Sequence, residues 1–205
     1  MKKLILLLGG VLFSLAAYCQ ENAAAEVFTS ALWPTQDGAV MAFTGQKQSF
    51  VLSVQGAKVT PGPEPGWFYV DGQIFQASAV PVLNGIRLDS LTQQRQHELL
   101  QAYIGYELAY FKNELQIDYQ ELKVEWATLY NKPCVFWYFT MPPAKGVQQQ
   151  LYLSTLCFNQ TLSLNAPVLK KKDFGKLKRN LAQLAASLQL NDYPLDLEAI
   201  QKKLN

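Results

Sequence analysis

An α+β fold, one domain with a mostly antiparallel β-sheet and long helices packed on its faces, is what this chain of 205 residues predicts. Short apolar runs between 121 and 169 follow one another across turns too short for a parallel crossover, which takes a dozen residues or more. Two longer segments, 91–115 and 174–188, repeat apolar residues at the helical period. Val135, Phe136, Trp137, Tyr138 and Phe139 are apolar on both alternating faces, so that strand must be covered above and below. Antiparallel strands flanked by helices make an α+β sandwich rather than a doubly wound sheet.

Residues 1–19 stand apart from that fold. Lys2 and Lys3 precede an uncharged, Leu-rich run and then Ala16, Ala17, Tyr18 and Cys19, the layout of a bacterial secretory signal peptide. Small residues at Ala17 and Cys19 place cleavage before Gln20. A lipidated cysteine needs a small residue before it, and Tyr18 is bulky, so anchoring through Cys19 is not expected. The apolar run falls short of the roughly 20 residues of a spanning helix, and no later segment reaches that length. Residues 20–205 are therefore expected to form one soluble domain, exported to the periplasm or beyond. With Lys2 and Lys3 removed, the 18 basic residues fall level with the 16 acids, and such a balance offers nucleic acid no general attraction.

Along the chain, 27–43 shows no clear period, and 49–54 alternates as a strand. Pro61, Pro63 and Pro65 with Gly62 and Gly66 mark an exposed loop, because Pro lacks a donor and Gly lacks restraint. Runs 67–70 and 73–80 flank Asp71-Gly72, which suits a type I′ hairpin turn. Asp89, Ser90 or Thr92 caps the first helix. Its stripe is Leu100, Ile104, Leu108, Phe111 and Leu115, widened by Leu99, Tyr103, Tyr106 and Tyr110. Strands are expected at 121–129, 134–141, 150–158 and 162–169. Asp173 then caps a helix with Phe174, Leu177, Leu181, Leu184 and Leu188 on one side, and a short helix at 195–204 closes the chain.

From 121 onward, through Asn131-Lys132-Pro133, the runs 134–140 and 150–157 and the capped helix at 174–190, the element order resembles the second half of PsbP-like and DcrB-like domains. The loop at 61–66 departs from that pattern. The resemblance implies a PsbP-like sandwich in a group where many members lack enzymatic activity, and fold by itself does not confer a role.

The strand pair carries a sharper expectation. If 134–141 and 150–158 close symmetrically across 142–149, Met141 opposes Gln150 and Cys134 falls opposite Cys157. Directly opposed residues approach to about 4.5 Å between α-carbons, inside the disulfide window, and an exported chain meets oxidants. A Cys134–Cys157 bond is expected. Two buried free thiols are the alternative, since a register slip of one residue sends them to opposite faces.

Candidate chemistry is sparse. His97 is the only histidine, so His97-Glu98-Leu99-Leu100-Gln101 stops one ligand short of a zincin helix, and His97 is expected on the polar side of its helix. No serine lies in a nucleophile-elbow context, and Cys134 or Cys157 with His97 lacks a thiol-protease signature. Asp118 with Glu121 or Glu125 would suit acid–base work only if a cleft raised one pKa. No catalytic residue, metal or cofactor is implied. Lys170, Lys171, Lys172, Lys176, Lys178 and Arg179 gather around the start of the last long helix, as a seat for an anionic partner or simply a solvated face. Trp67, Phe68, Tyr69, Tyr103, Tyr106 and Tyr110 suit a core or a lipid or glycan groove.

The expectation is a non-catalytic exported domain that binds an envelope protein, lipid or glycan, or assists assembly in the envelope. The rival is a small envelope hydrolase or lipid-handling enzyme with a carboxylate pair beneath the 61–66 loop.

Overall fold

The computed structural model describes residues 26–82, 92–129, 131–142, 146–170 and 172–204; residues 1–19, read above as a signal peptide, and Asp89, Ser90 and Lys171 lie outside them. In chain order come β1 (Thr29–Thr35), β2 (Gly38–Thr44), β3 (Ser49–Gln55), β4 (Val59–Pro61), β5 (Trp67–Val70), β6 (Gln73–Pro81) and α1 (Gln93–Asn113). Then follow β7 (Gln120–Leu129), β8 (Lys132–Thr140), β9 (Val147–Cys157), β10 (Gln160–Leu169), α2 (Phe174–Ala186), β11 (Gln189–Asn191) and α3 (Leu197–Leu204).

Two sheets result, a seven-stranded one in the order β4-β5-β6-β10-β9-β8-β7 and a four-stranded one in the order β1-β2-β3-β11. Every strand pair among the described residues is antiparallel. The Asp71-Gly72 turn forms as its sequence predicts, with φ of 50° and 77°. Thr92 caps α1, its side chain accepting from the Arg95 amide.

The α+β class and the antiparallel sheet hold, but the covering of the sheet differs from expectation. Among the described residues only α1, at 21 residues, is a long helix; α2 has 13 and α3 has 8. Leu100, Ile104, Leu108 and Phe111 of α1 pack on Val135, Trp137, Phe139 and Tyr152. The opposite face is closed by the four-stranded sheet together with α2: Met41, Phe43, Phe50 and Leu52 join Leu151, Leu153, Leu164, Leu177 and Leu181 in one core. The segment expected to be irregular, 27–43, supplies β1 and β2 of that cover. Pro34 is tolerated because β1 is an edge strand, where a missing donor costs no ladder bond.

The β8–β9 register corrects the disulfide expectation. Thr140 opposes Gln149 and Cys134 opposes Thr155, two residues from the predicted alignment. The difference arises in the loop: β9 begins at Val147, just after Gly146 with φ 84°, so the connection is shorter than 142–149. A shift of two keeps both sulfurs on the inter-sheet side but staggers them, and Cys134 and Cys157 are buried free thiols. Burial pushes both thiols up in pKa, Cys157 to about 12, which suits small apolar core residues.

Candidate interaction edge

β7 is the outermost strand of the seven-stranded sheet. Trp126 opposes Val135 and Val124 opposes Trp137, which turns Val124 and Trp126 toward the α1 side, with Leu122 next in the strand beside the bulge; Lys123 and Glu125 oppose Tyr138 and Phe136 on the other. The three apolar side chains stay open to solvent at 40%, 42% and 41%. α1 centres on β8 and β9, and toward β7 the His97 and Trp126 rings stack with centroids 4.2 Å apart. His97 is thus a half-buried prop for an exposed indole, a role its expected polar position did not suggest. An edge strand with a row of exposed apolar residues carries both unpaired backbone groups and apolar area, which together favour strand addition.

The reverse side of β7 is charged and ordered. The Tyr138 hydroxyl donates to Glu125 at 2.7 Å, and Lys178 of α2 pairs with the same carboxylate while its ammonium lies 4.8 Å from the Phe136 ring centroid. Lys178 first, then Tyr138, hold the Glu125 carboxyl below its usual range, the opposite of what an acid–base role beside Asp118 would need. Glu121 has a positive φ of 51° at a bulge and accepts from the Thr140 hydroxyl at 3.3 Å. Of the predicted basic cluster, Lys178 is committed to Glu125, whereas Lys170, Lys172, Lys176 and Arg179 face solvent.

Beneath α1 lies a feature missed in the sequence. Glu107 is buried beside Tyr103 and Tyr152, and desolvation raises its pKa to about 7, although the Tyr103 hydroxyl donates to it. The sheet below is polar: the Asn165 amide donates to Gln76 at 2.9 Å, Gln150 donates to Asn165 at 3.1 Å and the Trp137 indole donates to Ser154 at 3.1 Å. The signal was the spacing of four that sets Glu107 between Tyr103 and Phe111 on an otherwise apolar face. Glu107 is a lone sealed carboxyl rather than half of a pair, and its contacts are structural.

The 61–66 loop lies close against β5 and β6. The Gly62 amide donates to the Trp67 carbonyl, the Trp67 amide to Glu64 and the Ala77 amide to Gly66. A β-carbon on Gly62 would come within 2.5 Å of the Trp67 side chain. A small cavity of about 30 Å³ instead opens between Phe68, Val70, Phe75 and the α2 residues Asn180 and Gln183, without an acidic side chain in its lining. Trp67 and Phe68 are core, as are Tyr103 and the centres of the helix stripes, whereas Tyr69, Tyr106, Tyr110, Leu115, Phe174 and Leu188 are half-buried. Among the described residues no group of His, Cys, Asp and Glu is arranged to hold a metal, and no helix is long and apolar enough to cross a membrane.

No family model and no curated protein matches the sequence. The fold is similar to the solution structure of cyanobacterial PsbP (CyanoP) from Synechocystis sp. PCC 6803, with a TM-score of 0.44 and 11% identity. That match covers 84% of this chain and 99% of that one.

Proposed function

We propose that this protein is an exported, non-catalytic binding domain that associates with another component of the cell envelope, or assists its assembly, through the β7 edge. The observation that supports the reading is the exposed row Leu122, Val124 and Trp126 on an outer strand whose far edge pairs with no other strand among the described residues. Its apolar area and open backbone together provide both terms of strand-addition binding: ladder hydrogen bonds for affinity and alternate side chains for specificity. Export is the reading of the leader, with function in the periplasm or beyond.

A pull-down from envelope extract tests this, comparing the mature chain with Val124→Arg. Proteins held by the native chain and lost by the variant, identified by mass spectrometry, support the edge as the docking site. Identical recoveries from both would remove β7 from the binding role. Intact mass of the native protein tests export: loss of residues 1–19 is expected, a full-length chain contradicts export, and a diacylated Cys19 contradicts the expectation of an exported chain free of a lipid anchor.

A further inference from the structure

The residues along β7 are complementary to themselves. In a continuous sheet formed by two copies of β7 around a two-fold axis, directly opposed side chains share a face, so each choice of axis fixes every pair. With the axis through Val124, Val124 meets its own copy, Leu122 meets Trp126 of the other chain, and Lys123 meets Glu125. Val124 then covers its own copy on the α1 side with Leu122 set against Trp126 at each flank, while two Lys–Glu pairs form on the other. Moving the axis one residue either way sets Lys123 against Lys123 or Glu125 against Glu125. It also leaves one apolar residue facing Gln120 or Thr128. Like charges directly opposed are unfavourable, so pattern and charge select the same axis.

We propose that β7 pairs antiparallel with β7 of a second copy about a two-fold axis through Val124, joining two seven-stranded sheets into one. This rests on the reading of β7 as the docking edge and names its occupant. Glu125 is already held in place by Tyr138 and Lys178, so the carboxylate that Lys123 of the second copy would meet is fixed before association. The bulge at Glu121 ends regular pairing with β8 on one side of the axis, which limits the joint to a short central run. Alternating charges on an edge disfavour strands of arbitrary sequence, but here they favour an antiparallel copy of the same strand.

The test is a charge-reversal mixture of the mature chain, read by light-scattering mass across a concentration series. The native protein is expected to move toward twice the monomer mass as concentration rises. Lys123→Glu and Glu125→Lys should each weaken self-association by about tenfold or more, because each places like charges in both symmetric positions. Mixing the two variants restores opposite charges at both positions and should yield a heterodimer, which misfolded chains could not produce. In parallel, Val124→Cys should form an interchain disulfide under mild oxidant, since directly opposed α-carbons lie about 4.5–5.5 Å apart; Thr128→Cys, remote from its own copy, should not. A native chain that remains monomeric throughout overturns the proposal, as does a dimer indifferent to both charge reversals. If the monomer still captures an envelope protein that Val124→Arg loses, the docking edge stands and the second copy falls. If the dimer and the captured proteins are both unaffected by the β7 variants, both readings fall.

Discussion

Between the two sheets, Phe50, Leu52, Leu153, Leu164 and Leu181 are closed to solvent, whereas on β7 the apolar Leu122, Val124 and Trp126 are each about two-fifths exposed. The strands of both regions carry the same alternation of apolar residues, and the difference is whether a layer lies above them. In the interior the four-stranded sheet and α2 supply that layer. At β7, the cover from α1 includes the His97 ring stacked on Trp126, yet the row stays partly open. Stability and association are therefore assigned to separate residues, and substitutions can tell the two apart.

The largest effect belongs to the interior. Leu181→Ala should cost about 2–5 kcal/mol in chemical denaturation, because deleting a fully buried side chain loses its transfer energy and leaves a cavity. A cost below about 0.5 kcal/mol, the range of surface changes, would erase the contrast with β7.

The next effect is pH-dependent and arises under α1. Glu107 titrates at about 7 in the folded protein against an ordinary value of 4.5, so between those values the folded state holds a proton that the unfolded chain has lost. Its contribution is without penalty below the ordinary value, and stability falls as pH rises toward 7, by an amount on the order of 3 kcal/mol in full. Denaturation of the native protein and Glu107→Gln at about pH 5 and about pH 8 checks this: the variant should show a flatter profile. Equal slopes would mean that Glu107 reaches water when charged.

The smallest stability effect is expected at the edge. Trp126→Ala should change unfolding free energy by less than about 1 kcal/mol, the worth of an exposed ring contact, while reducing association through β7. A cost as large as that of Leu181→Ala would place Trp126 in the core network instead.

Local pattern explains which parts of this structure were readable. The Asp71-Gly72 hairpin, the run of strands from β7 to β10 and the stripes of α1 and α2 each rest on neighbours within a few residues, and the structure reproduces them. β1 and β2 were hidden because Ala31, Pro34, Gly38, Ala39 and Ala42 are weak strand formers whose strand state depends on pairing with β3. The Cys134–Cys157 alignment was lost through a loop shorter than the sequence suggested, which moved the register by two. That β7 lies at an edge depends on β6 pairing with β10, a contact that spans three intervening strands and leaves no local trace. The strand at 121–129 was legible, but that its Leu122, Val124 and Trp126 form an exposed edge was not.

Amide hydrogen exchange along β7 tests the central claim most directly. In the dilute protein the amides of 120–129 should include fast-exchanging groups, as an outer strand has half its backbone unpaired, while β9 and β10 remain protected. On concentration, or on adding the captured envelope protein, protection should rise in β7 and leave the Leu181 side of the molecule unchanged. Fast exchange in β7 that persists under both conditions would contradict the claim that this edge is where the protein binds.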